Sequence, residues 1–236
     1  MEWMGLAGWL VHWDRAAFLA FNQAVHSPTL DWIVPLITDF GLGWLQACIV
    51  LALAVGIGIA KREFAGSVWK SVAAMVYRRR AWVSPLLLAF AISGIASTVI
   101  KNSFERDRPW WFYEKEHRAH RDESISVRTV RGVYALKVRG FPSGHTATTF
   151  AMATAVTMLF GLRRRFWMGT VAAWLLSVII AFTRIYLASH WPLDLVGGAI
   201  IGILSGIAAV DICRRFAKRV EPKAAGTVAD SPAGSN

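Results

Sequence analysis

The sequence predicts an all-α fold, a polytopic helical membrane bundle of five spans. Three observations lead there. Of 236 residues, 55% are hydrophobic and 17% charged, too apolar for an ordinary soluble domain. Five apolar runs, near 42–60, 82–101, 143–161, 166–186 and 192–212, read as long enough for a helix to cross a bilayer. Cations gather in the connections between them. Such runs span only as helices, because hydrocarbon offers no partner to the N–H and C=O groups of an open strand.

The first 41 residues read as an interfacial segment. From Asp14 to Val25, residues Ala17, Phe18, Phe21 and Val25 form one helical stripe. Trp3, Trp9, Trp13 and Trp32 suit the headgroup level. A short sixth span from Leu30, broken at Asp39-Phe40-Gly41, is the alternative. Trp82 to Ile100, in the second run, carries no charge. In the fifth, Gly198, Gly202 and Gly206 recur every fourth residue. That spacing permits close helix packing, although small residues are also common filler in membrane helices. Cys48 and Cys213 sit in apolar runs outside any metal-type spacing and read as buried structural thiols. No basic region and short apolar core open the chain, so no cleaved signal peptide is expected. The segment from Ala224, rich in Gly, Ala, Ser and Pro, reads as disordered. The expected organisation is 1–41 interfacial, 42–220 membrane-embedded and 221–236 a disordered tail.

A net charge of +11 raises nucleic acid as a partner. The placement of the cations argues for anionic headgroups instead, and no nucleic acid is expected. Lys61, Arg62, Lys70, Arg78, Arg79 and Arg80 follow the first span against a single acid, Glu63. Arg163, Arg164 and Arg165 fill the turn after the third span, and Arg214, Arg215, Lys218 and Arg219 follow the fifth. With five spans these regions share one face, which the positive-inside tendency places in the cytoplasm. The 102–142 loop and the 187–191 turn then lie outside.

That outer face collects the chemistry. Lys101 closes the second span, and Arg108-Pro109 follow after six residues. Pro142-Ser143-Gly144-His145 open the third span. Thr183-Arg184 close the fourth, and His190 and Asp194 open the fifth. Ionisable groups at span ends are costly and mark function. Phosphoryl transfer needs cations on the nonbridging oxygens, an in-line nucleophile and a proton for the leaving oxygen. Lys101, Arg108 and Arg184 supply the cations. A helix start at Ser143-Gly144 supplies free N–H groups, a hydroxyl and room for close approach. Asp194, four residues after His190, can fix one ring nitrogen and leave the other to attack. His145 remains as general acid. Taken singly, Lys101 reads as a snorkelling cation, and Arg106, Arg108 and Arg139 as solvated loop charges. Trp110, Trp111, Phe112 and Tyr113 read as an interfacial aromatic belt or as a gate for lipid chains.

These three stretches, in order and with their spacings, resemble the signature of the type 2 phosphatidic acid phosphatase family. That family also includes glucose-6-phosphatase, bacterial acid phosphatases and vanadium haloperoxidases. The resemblance covers roughly residues 82–212. It implies a metal-independent phosphatase without cofactor, with its active site at the membrane–water interface. His190 is then the nucleophile, forming a phosphohistidine, His145 the general acid, and Asp194 the group orienting His190. Lys101, Arg108, Ser143, Gly144 and Arg184 hold the phosphate. One departure is Thr183, where the family usually has serine. A hydroxyl is kept there, so activity is expected to survive.

The expected substrate is a lipid phosphate monoester or pyrophosphate in the bilayer. Phosphatidylglycerol phosphate, phosphatidic acid, undecaprenyl pyrophosphate and lipid A phosphates all qualify. The expected location is a bacterial inner membrane, with the site facing the periplasm or exterior. The rival from another class is a non-catalytic lipid-binding or transport protein retaining the motif. Both histidines and Asp194 being present argues against it.

Overall fold

A computed structural model describes residues 6–25, 27–64, 66–120, 127–130, 136–161 and 163–220. Trp3 and the tail 221–236 lie outside these described residues. The described chain is helical, with no strand. In order the helices are α1 (Leu6–Ala24), α2 (Pro28–Asp39), α3 (Gly43–Ala60), α4 (Val68–Arg78), α5 (Arg80–Ser103), α6 (Pro109–His120), α7 (Gly144–Phe160), α8 (Trp167–Tyr186) and α9 (Pro192–Val220).

The five expected runs become α3, α5, α7, α8 and α9. Four of them, α3, α5, α8 and α9, are long and apolar enough to cross a membrane. The fifth, α7, has 17 residues, a length of about 25 Å. It is the helix that α5, α8 and α9 surround. This central position explains its threonines. Thr149, Thr154 and Thr157 each donate to the carbonyl four residues earlier, and Trp174 Nε1 donates to Thr157 Oγ1 at 2.9 Å. Polar side chains so satisfied do not oppose burial.

Close approach of α7 and α9 depends on the glycine row. A Cβ added at Gly198, Gly202 or Gly206 would lie 2.6, 2.4 and 2.6 Å from the carbonyl oxygens of Ser143, Ala147 and Ala151. The spacing of four therefore marks a packing seam. α9 continues past the expected 212 to Val220, and on this basic end Arg214 Nη2 donates to the Met158 carbonyl at 2.7 Å. Neither cysteine is buried: Cys48 is exposed on α3 and Cys213 half-buried on α9. An apolar run does not imply an inward face when lipid surrounds the bundle.

The connections are more structured than composition indicated. α4 packs on α3, with Arg79 buried in a fork with Glu63 at 3.0 and 3.2 Å. α2 spans only 12 residues, about 18 Å, and ends at the Asp39-Phe40-Gly41 break, so it is too short to cross alone. It lies on α8, while α1 lies on α8 and α9. Trp9, Trp13 and Trp32 stay exposed. Phe18 is fully buried, and so is Asp14 on the same helix.

Candidate active site

The α8–α9 turn binds two of the key residues to one another. α8 ends at Tyr186, and Ala188 takes the left-handed conformation, φ 50°. The Ser189 and His190 N–H groups then both donate to the Arg184 carbonyl, at 3.0 and 3.2 Å. A non-glycine residue in that region is strained, and such strain persists only where surrounding packing enforces it. Here Ala188 is fully buried. Pro192 starts α9, and the Asp194 carboxylate folds back over the helix start. Its Oδ2 accepts from Trp191 N–H at 2.9 Å and faces His190 Nδ1 at 3.3 Å. A proton on Nδ1 given to this carboxylate leaves Nε2 with its lone pair.

The start of α7 is fastened to the same turn. Ser143 N–H donates to the Asp194 carbonyl at 2.9 Å, after a cis Phe141–Pro142 bond. Ser143 Oγ caps the helix by accepting from Thr146 N–H at 3.4 Å and from Thr146 Oγ1 at 3.0 Å. Its own O–H remains free to donate. A Cβ on Gly144 would stand 3.4 Å from Lys101 Nζ, so α5 delivers its lysine to the N-terminus of α7. His145 packs against Gly41, where an added Cβ would fall 2.7 Å from the imidazole Cδ2. Thr148 Oγ1 holds the Gly41 carbonyl at 2.8 Å.

All the expected site residues therefore gather at one end of the bundle. Arg184, His190, Lys101 and Arg108 lie within electrostatic reach of His145. Arg184 Nη1 donates to Thr38 Oγ1 at 2.9 Å, and Thr183 Oγ1 pairs with the same hydroxyl at 3.0 Å. The Nε–H groups of Arg108 and Arg184 are buried and have no acceptor among the described residues. Buried donors without partners are rare in native proteins. Burial drives the Arg108 guanidinium below its ordinary value. Burial, followed by the Arg184, Arg108 and Lys101 charges, pushes His190 well below its own, opposed by a hydrogen bond to the Gly140 backbone. Both effects favour the neutral imidazole. Among the described residues no group of three or more His, Cys, Asp or Glu is placed to hold a metal ion.

Sequence reasoning missed Arg106, Asp14 and Thr38. Arg106 is not a solvated loop charge. Its Nη1 bonds Asp194 Oδ1 at 2.5 Å and its Nη2 bonds Asp14 Oδ2. Asp14 Oδ1 accepts from Leu193 N–H at 2.8 Å. The available signal was an acid within the apolar stripe of α1. In the aromatic run after Pro109, Trp110, Trp111 and Phe112 are half-buried, and the last member is packed inward. Tyr113 is buried in a cluster with Phe18 and Trp191, and Phe18 meets Trp191 edge-on at 5.2 Å. These rings fasten α6 and α1 to the turn that carries His190.

A family model described as the PAP2 superfamily matches residues 82–217. The candidate undecaprenyl-diphosphatase YbjG of Escherichia coli strain K12 is 31% identical over 134 residues, covering 56% of this chain and 57% of that protein. The lipid A 4'-phosphatase of Bacteroides thetaiotaomicron is 37% identical over 82 residues, covering 35% of each. The chain thus spans little more than half and about a third of those two relatives' lengths. The undecaprenyl-diphosphatase of Sulfolobus acidocaldarius is 26% identical over 72% of this chain and 74% of that protein. Among solved structures, LpxE of Aquifex aeolicus superposes with a TM-score of 0.58 at 26% identity, over 83% of this chain and 93% of that one. A PAP2-type phosphatidylglycerolphosphate phosphatase from Bacillus subtilis gives 0.59 at 17% identity over 91% and 89%, a likeness of fold alone.

Proposed function

The chain belongs to the PAP2 superfamily, and from that premise we propose that it is an integral membrane lipid phosphatase working through a phosphohistidine on His190. One observation carries the reading. Three cations from α5, α8 and the loop between α5 and α6 meet two imidazoles at one end of the bundle, and two guanidinium N–H groups there have no partner among the described residues. A phosphate dianion supplies the missing acceptors.

In the proposed reaction Lys101, Arg108, Arg184, the Ser143 hydroxyl and the N–H groups at Gly144 bind the nonbridging oxygens. His190 Nε2 attacks phosphorus in line, and the bond to the leaving oxygen breaks. The bound phosphate dianion favours the charged form of His145, which gives its proton to that oxygen. Asp194 balances the charge developing on the His190 ring. Water then attacks the phosphohistidine and passes its proton to His145. The P–N bond breaks and inorganic phosphate leaves. No step calls for a metal.

The substrate class is a lipid monophosphate or pyrophosphate, because a phosphate site at the end of apolar helices lets the headgroup reach the cations while its chains stay in the bilayer. The names of the relatives point to undecaprenyl pyrophosphate and lipid A phosphates. Phosphatidylglycerol phosphate and phosphatidic acid complete the panel. The site faces the periplasm or exterior of a bacterial inner membrane, opposite the cations of the α3–α4 connection and the end of α9. The test is phosphate release by detergent-solubilised protein from each of these lipids, with His190→Ala as control. Release that requires none of them, or that His190→Ala retains at wild-type rate, overturns the reading.

A further inference from the structure

We infer that Arg106 and Asp14 form a positioning relay behind the nucleophile, which makes α1 a working part of the site. This inference rests on the phosphatase reading and adds two residues that lie outside its three motifs. The geometry is a chain of contacts. His190 Nδ1 faces Asp194 Oδ2 at 3.3 Å, and Arg106 Nη1 holds the other carboxylate oxygen, Oδ1, at 2.5 Å. The second arm of the guanidinium holds Asp14 Oδ2. Asp14 Oδ1 accepts from the N–H of Leu193, the residue before Asp194. The relay therefore begins and ends on the same first turn of α9. The backbone fixes its middle, since the Arg106 carbonyl accepts from Gly140 N–H at 2.9 Å.

Two physical consequences follow. The first is orientation. Asp194 has both oxygens engaged, so its carboxylate plane cannot rotate away from His190. A planar guanidinium bonded to two carboxylates at once is itself fixed in plane, which a lysine would not achieve. The second is charge. Asp194 and Asp14 are both 0% exposed, and Arg106 is 28% exposed on its side chain. Arg106 paired with Asp194 alone would cancel the negative charge that the attacking imidazole needs. Asp14 offsets this by sharing the same guanidinium, so that Arg106 does not pair with Asp194 alone. Removing either partner leaves a buried charge uncompensated, which is costly. Arg106 and Asp14 touch neither substrate nor reacting atoms in the proposed reaction, so their part is positioning.

The experiment compares wild type with Asp14→Asn, Arg106→Gln, Arg106→Lys and the Asp14→Asn/Arg106→Gln double variant. It reads kcat and KM for lipid phosphate hydrolysis, and the affinities for orthovanadate and inorganic phosphate. Vanadate takes the imidazole as a fifth ligand, whereas phosphate needs only the cations. We expect kcat to fall about 10–100-fold, the size seen when a group supporting a reactive ligand is lost. KM and phosphate affinity should stay near wild type, because Lys101, Arg108 and Arg184 are untouched. Vanadate affinity should fall in step with kcat, and Arg106→Lys should lie between wild type and Arg106→Gln. The double variant should cost no more than Arg106→Gln alone. Should Arg106→Gln fail to fold, Asp14→Asn decides, since it keeps the shape and the acceptor for Leu193. Wild-type kcat and vanadate affinity in folded Asp14→Asn overturn the relay. So does an equal loss of phosphate and vanadate affinity, which marks a merely structural role. A wild-type protein that neither releases phosphate nor binds vanadate overturns the phosphatase reading itself, and the relay with it.

Discussion

His190 carries the strongest expectations because its surroundings determine its protonation. The imidazole is pushed below its ordinary range, so acid does not disable it until well under the pH 6.5 at which free imidazole titrates. The sign is that of a base whose charged form is disfavoured: the neutral, attacking form persists as pH falls. With the substrate's own phosphate ionisation measured separately, kcat/KM should fall below pH 6.5 no faster than that ionisation demands. His190→Ala should lower kcat by more than about 10³-fold, read as phosphate release and as loss of an acid-labile phosphoprotein. His145→Ala should cost about 10²–10⁴-fold with a lipid alkoxide as leaving group and far less with an aryl phosphate, whose leaving oxygen needs no proton. Gly41 bears on the same residue from outside the motifs. A methyl group there would press on His145 at 2.7 Å from Cδ2. Gly41→Ala should therefore reduce turnover of lipid substrates more than of aryl phosphates.

Among the elements, the seam between α7 and α9 holds two parts of the site in register. Ser143 and His145 open one helix, Asp194 opens the other, and the Gly198–Gly202–Gly206 row determines how near they come. Gly202→Val would place side-chain atoms against the Ala147 carbonyl. It should cost about 1–3 kcal/mol, visible as a lower Tm in detergent together with lost turnover. Gly56, on α3, has open space around it. Gly56→Ala should leave Tm unchanged or higher, since alanine is the better helix former by about 1 kcal/mol. The contrast separates a glycine required by packing from one that is not. α1 and α2 show how a short helix contributes without spanning. Asp14 from one is buried against the start of α9, and Thr38 from the other against Arg184 at the end of α8.

For the whole molecule, the decisive feature is that chain connectivity returns every motif to one end of the bundle. A span between Lys101 and His145, or between Arg184 and Asp194, would have separated them by the thickness of the membrane. Orientation is testable in intact cells. In a variant lacking Cys48 and Cys213, a membrane-impermeant maleimide should label Glu116→Cys from outside, and Lys70→Cys only after permeabilisation. Phosphate release should also persist in EDTA, because cationic side chains do the work of a metal ion in the proposed reaction. Loss of activity in chelator would count against it.

The amino-acid sequence alone determined that five apolar runs are helices, because a bilayer imposes one secondary structure on any segment crossing it; it did not determine their ends, since α9 runs on to Val220. It also placed Lys101, Arg108, His145, Arg184, His190 and Asp194 on one face, since each lies at a span end and parity follows from counting. Short range explains the rest that was legible: His190 and Asp194 are four residues apart. Arg106, Asp14 and Thr38 were not legible, for a reason of distance. Arg106 and Asp14 meet across 92 residues, and Thr38 and Arg184 across 146. No periodicity links such positions. An acid in an amphipathic helix and an arginine in a loop look solvated until packing removes the water around them. Tertiary structure alone decided that a short N-terminal helix supplies the buried carboxylate behind the His190–Asp194 pair, and that Tyr113 packs α6 against α1 and the His190 turn.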